Sequence, residues 1–146
     1  MKLYTIGFTG KTAEEFFSLL KDSGVRKIID TRRNNASQLA AFARASDLPY
    51  FLKTIADIGY EHRLDMAPSQ ELLTAYRNKE IDWPTYHKRY LKEITANAIT
   101  ASLQAKELDR ACLLCSEHEP DHCHRTPLAQ HLKKRFPDLQ IIHLIE

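Results

Sequence analysis

The sequence contains no apolar run approaching the roughly 20 residues needed to span a bilayer. Its opening, MKLYTIGFTGKT, turns polar before the apolar stretch of about 7–15 residues that marks a signal peptide can form. Both absences point to a cytoplasmic protein with no membrane association. Cysteine is scarce. Cys112, Cys115 and Cys123 cannot build a disulfide framework, which leaves free thiols as the simplest state. No repeat recurs at a fixed period. Neither sign of charge dominates, because a net charge of +2 falls short of the basic footprint of a typical nucleic-acid binder. Nucleic-acid binding is permitted by that balance and not indicated by it.

What is present is enough apolar material, 43% of 146 residues, to bury the core of one domain spanning 1–146. Leu3 to Ile6 reads as a buried strand, followed by a loop and a helix over TAEEFFSLLKDSG. Thr12 and Glu15 form a capping box there, and Gly24 sits at the helix end. VRKIID reads as the second strand and makes the opening a parallel βαβ unit. QLAAFARA has helical composition. DLPYFLKTIADIG predicts a helix with Asp47 near its N-cap, Pro49 in its first turn and Gly59 after its end. YEHRL predicts a short strand, SQELLTAYRN a helix capped by Ser69, and Pro84 to Leu108 one long helix with Tyr86, Tyr90, Ile94 and Ala98 along one side. ACLLCS and QIIHLI complete the strands, with a helix over TPLAQHLKKRF between them. The fold class expected is a single α/β domain with a mainly parallel sheet of four or five strands flanked by helices.

In open parallel sheets the functional crevice lies beyond the carboxyl ends of the strands. The unusual chemistry of this chain follows three such ends: TIGFTGKT, DTRRNN and CSEHEPDHCHR. In the first, Gly10-Lys11-Thr12 resembles the close of a phosphate-binding loop. Position 5 holds Thr5 where that motif needs glycine, so the phosphate-loop reading fails, and Gly7 remains as a point of close backbone approach. In the second, strand alternation points Asp30 and Arg32 to one side, suiting a carboxylate that orients an arginine toward an anion. Arg33 reads as part of a solvated turn.

The third segment packs Cys115, Glu117, Cys123, His124 and Arg125 together. Cys112 and Cys115 have the spacing of a zinc pair by count, but within one strand they face opposite sides, which assigns Cys112 to the core. A metal could use Cys115, Cys123 and one of His118, His122 or His124, though the spacing matches no common zinc pattern. The alternatives are Cys115 as nucleophile with a histidine or Glu117 as proton acceptor, Cys115 and Cys123 as a redox pair, and inert packing. Helix dipole and Arg125 would favour thiolate at either cysteine. His62, His87, His131 and His143 are explained by surface or core packing.

The stretches YTIGFTGKTAEEFFSLLKDSGVRKIIDTRR and LLCSEHEPDHCHRTPLAQHL resemble the uncharacterised DUF488 family over essentially the whole chain. They do so through Thr5-Ile6-Gly7, Asp30-Thr31-Arg32, Cys115-Ser116-Glu117 and Cys123-His124-Arg125. Phe8-Thr9 stands where many relatives are similar to His-Ser. The resemblance implies an α/β domain with no established reaction, and it strengthens the expectation that the three loops form one site. The leading expectation is an enzyme or enzyme-like domain. In it Cys115, Glu117, Cys123 and His124 carry the chemistry, while Thr5, Gly7, Asp30, Arg32 and Arg125 hold a small anionic ligand bearing phosphate or carboxylate. The alternatives are a nucleic-acid-associated domain using Arg26, Lys27, Arg32, Arg33 and Arg44, and a metal-binding module. Nothing in the sequence speaks to oligomeric state.

Overall fold

A computed structural model describes residues 1–36, 40–117 and 120–145. Five strands form one all-parallel sheet in the order β3-β2-β4-β1-β5, where β1 is Lys2–Gly7, β2 Lys27–Asp30, β3 Gly59–His62, β4 Ala111–Cys115 and β5 Gln140–Leu144. Six helices connect and flank them: α1 Ala13–Ser23, α2 Leu48–Ala56, α3 Gln70–Arg77, α4 Trp83–Ala96, α5 Ala105–Leu108 and α6 Arg125–Arg135. The expected α/β class and parallel sheet are therefore present. No helix among the described residues is long and apolar enough to cross a membrane.

Local chemistry explains the connections. Thr12 and Glu15 cap α1 reciprocally, Gly24 closes it at φ 79°, and Val25 turns straight into β2. β1 and β2 are not neighbours, because β4 lies between them, so the opening βαβ unit is split. Three boundaries differ from expectation. The left-handed residue that ends α2 is Asp57, leaving Gly59 to begin β3. The long helix expected from Pro84 to Leu108 stops at Ala96: Asn97 donates to the Asp65 carbonyl, Ala98 takes φ 50°, and the reversed chain buries Ile99 and Leu103 before α5 starts. Of the helix expected from residue 37 onward, residues 37–39 lie outside the described residues, and Ala41–Ala43 form only a 3₁₀ turn.

Strand alternation divides the core into two layers. Leu3, Ile29, Ala111 and Leu113 pack with Tyr86, Tyr90, Leu128 and Leu132 of α4 and α6. Tyr4, Ile6, Ile28, Cys112 and Leu114 pack with Phe16, Phe17, Leu48 and Leu52 of α1 and α2. Asp30 at the tip of β2 and Cys115 at the tip of β4 inherit their sides from this alternation.

Candidate functional site

The tips of β1, β2 and β4 stand side by side, with β4 central. Gly7 is in register with Cys115, and both continue the face covered by α4 and α6. Asp30 is in register with Leu114 and continues the opposite face, covered by α1 and α2. The three loops thus share one end of the sheet but supply two separate constellations, one on each face. This corrects the expectation of a single hollow in which Arg32 and Arg125 clamp one anion.

On the α1/α2 face, Arg32 grips Asp30 at two points, Nε to Oδ1 and Nη2 to Oδ2, each at 2.9 Å. Tyr60 donates to the same carboxylate at 2.6 Å and Asn35 at 3.1 Å. Burial pushes the Asp30 carboxyl up, but Arg32, Tyr60 and Asn35 together outweigh it and hold the group below its ordinary value. Arg32 also donates to the Ala43 carbonyl, and its guanidinium lies 5.3 Å from the Phe8 ring. Phe8 is therefore part of the packing around this ion pair.

On the α4/α6 face, Cys115 ends β4 with no exposure, and Cys123 precedes α6 at 3%. Arg125, fully buried in the first turn of α6, places Nη1 3.6 Å from the Cys115 sulfur and 2.9 Å from the Glu117 carbonyl oxygen. Burial raises the Cys115 thiol. The facing Cys123 S–H, the Arg125 charge and the Glu117 main chain reverse that, and the net shift is downward. Cys123 is pushed well up, first by burial, then by its hydrogen bond to Cys115 and by the charge there. The pair is unequal: one sulfur favours thiolate, the other holds its proton.

Gly7 makes this packing possible. A Cβ there would overlap the Glu117 carbonyl and lie 2.7 Å from Arg125 Nη1. The Thr9 amide donates to the Ser116 carbonyl and joins the first loop to the third. Lys11 Nζ donates to the Gly7 carbonyl at 2.8 Å.

Other expected site residues are placed differently. Glu117 is exposed, and its main-chain carbonyl, not its carboxylate, meets Arg125 and Cys115. His124 Nε2 lies 3.0 Å from both the carbonyl and the hydroxyl oxygen of Thr31. A carbonyl only accepts, so Nε2 carries the proton. Burial lowers the His124 pKa to about 4, which makes the ring a neutral strut between β2 and α6 and a poor acid near neutrality. Thr5 is buried inside β1, with its hydroxyl 2.6 Å from His143 Nδ1 across the β1–β5 pair. Arg33 donates to the Pro68 carbonyl.

The basic residues of the nucleic-acid alternative are dispersed. Arg26 and Lys27 lie at the amino end of β2, where Arg26 donates to the Lys106 and Asp109 carbonyls, whereas Arg32 is buried at the carboxyl end. No group of three or more His, Cys, Asp or Glu side chains suited to a metal ion occurs among the described residues. His118, one of the suggested ligands, lies outside them.

Sequence reasoning missed the residues that complete both constellations. Tyr60 and Asn35 hold Asp30, and Thr31 holds His124. Tyr86 and Tyr90, read only as a helix stripe, form the wall of the thiol site: Tyr90 meets the His124 ring edge-on at 5.4 Å, and both phenols are kept protonated by burial and by the nearby sulfurs. Their i, i+4 spacing was visible, but nothing local showed which strand tip they would face.

The model of the family described as "Domain of unknown function DUF488" matches residues 12–132. The chain belongs to the DUF488 family. The match spans α1 through most of α6 and therefore includes Asp30, Arg32, Cys115, Cys123 and Arg125. No curated protein and no solved structure matches the chain.

Proposed function

We propose that this DUF488 domain is an enzyme-like protein built around a thiolate at Cys115. The observation that carries the reading is the Arg125 guanidinium at 3.6 Å from the Cys115 sulfur, inside a closed site where charge acts strongly. Arg125 supplies positive charge, Cys123 supplies a thiol proton toward the same sulfur, and the Glu117 carbonyl fixes the arginine. Negative charge forming on a small substrate beside Cys115 meets the same guanidinium. The anionic ligand anticipated for this site thus draws on Arg125, since Arg32 is committed to Asp30 on the other face.

Alkylation with iodoacetamide across pH, with the modified residue located by peptide mass spectrometry, tests the reading. Modification should fall on Cys115 with a midpoint below the free-thiol value of about 8.5. A midpoint at or above that value, or modification confined to the other cysteines, would overturn it.

A further inference from the structure

We propose that small hydroperoxides oxidise Cys115 and Cys123 to an intrachain disulfide, with Cys115 as the attacking sulfur and Cys123 as the resolving one. The proposal rests on the thiolate reading above and adds its electrophile and its product. Three observations carry it.

First, the two sulfurs face each other and differ in role, since Arg125 Nη1 contacts Cys115 and the Cys123 S–H is directed toward it. An attacking thiolate beside a protonated partner is the arrangement in which a sulfenic acid is resolved before it oxidises further. Second, at 0% and 3% exposure the sulfurs are reached only through transient opening of the packing around them, which favours the smallest electrophiles, and hydrogen peroxide is little larger than water. Third, Cys112 points to the opposite face, packed with Ile28 and Leu114, so the only partner for Cys115 is Cys123. The two stand eight positions apart, which closes a short ring. Cys115 is fixed between β1 and β2 in the central strand, and the approach to bonding distance, about 2.05 Å between sulfurs, falls on the Cys123 side. There His122 already holds a left-handed φ of 58°.

The step balances as follows. The Cys115 thiolate attacks one peroxide oxygen; an S–O bond forms, the O–O bond breaks, and hydroxide departs past the Arg125 guanidinium. Cys123 gives up its proton and attacks the Cys115 sulfur; an S–S bond forms, the S–O bond breaks, and the second oxygen leaves as hydroxide that takes that proton to become water. Two electrons pass from the sulfurs to the peroxide, and one thiolate, one thiol and one peroxide become one disulfide, one water and one hydroxide.

The test is titration of the fully reduced chain with hydrogen peroxide, followed by intact mass and peptide mapping. One equivalent should remove two hydrogens, link the Cys115 and Cys123 peptides, and be reversed by dithiothreitol. The rate should exceed that of free cysteine by on the order of tenfold or more. Cys123→Ser should instead accumulate a Cys115 sulfenic acid trapped by dimedone, and Cys112→Ser should match the unsubstituted protein. If iodoacetamide finds a low-pKa Cys115 but peroxide yields no Cys115–Cys123 link, the proposal fails while the thiolate reading stands. If neither reagent reacts preferentially with Cys115, both fail. The mapping on the unsubstituted chain decides the question even where a variant does not fold.

Discussion

Asp30 and Arg32, two residues apart at the tip of β2, form a two-point ion pair with almost no solvent contact, at 0% and 3% exposure. Such a pair is expensive to break one-sidedly, because the survivor becomes a buried charge without its partner. Arg32 Nη1 has no hydrogen-bond partner among the described residues, so the guanidinium depends all the more on the two contacts with Asp30. Asp30→Asn should lower stability by about 3–5 kcal/mol at pH 7, measured by urea unfolding.

The same substitution should change the acid response. The folded Asp30 pKa lies below its unfolded value of about 3.9, so its contribution is fully present above that value and is lost as pH falls through the folded pKa. Unfolding free energy followed from pH 5 downward should show a smaller slope in Asp30→Asn than in the unsubstituted chain. An unchanged slope would mean that the carboxylate is not held by Arg32.

His124 sets a second pH dependence in a different window. With a folded pKa of about 4 against about 6.5 unfolded, the unfolded chain binds the extra proton between these values, so stability declines as pH falls from about 6.5 to 4. The decline attributable to this residue is about 3 kcal/mol in all. His124→Gln, whose amide can still donate to the Thr31 carbonyl, should flatten the curve in that window. Proton NMR of the ring should find it neutral at pH 6.

How far these sites could be read from the sequence follows from the range of each interaction. The Thr12–Glu15 cap, Gly24, the strands at Leu3–Ile6 and Ala111–Cys115, and the burial of Cys112 all rest on neighbours within four residues, and pattern alone finds them. Asp30 with Arg32 is likewise a local pair that alternation predicts. The face on which each tip lies is not local. It depends on the register of β2 against β4, Asp30 opposite Leu114 and not Cys115, and a shift of one residue would have merged the two constellations. The break at Asn97 is invisible for a similar reason, because its amide answers to Asp65 on a distant turn.

Gly7 is the point where backbone permissiveness serves the thiol site. Gly7→Ala would drive a methyl group into the Glu117 carbonyl and against Arg125 Nη1, both backbone or buried groups with little freedom to yield. Stability should fall by about 1–3 kcal/mol or more in urea unfolding. Because the displaced groups are those that adjoin Cys115, the alkylation midpoint of that thiol should rise in the surviving folded protein. A variant of unchanged stability would place the first loop away from Glu117.

Arg125 separates an electrostatic role from a packing role. Its guanidinium donates to the Glu117 carbonyl and approaches the Cys115 sulfur from inside a fully buried position. Arg125→Met retains much of the apolar stem but removes the charge, whereas Arg125→Lys keeps the charge without the planar fork that reaches carbonyl and sulfur together. The Met variant should raise the Cys115 alkylation midpoint by at least about one pH unit, a tenfold loss of thiolate at a fixed pH below both midpoints. The Lys variant should fall between the Met variant and the parent. Far-ultraviolet circular dichroism on each separates loss of charge from loss of fold. If the Met variant stays folded and alkylates with the parent's pH profile, the charge beside the sulfur is not what activates it.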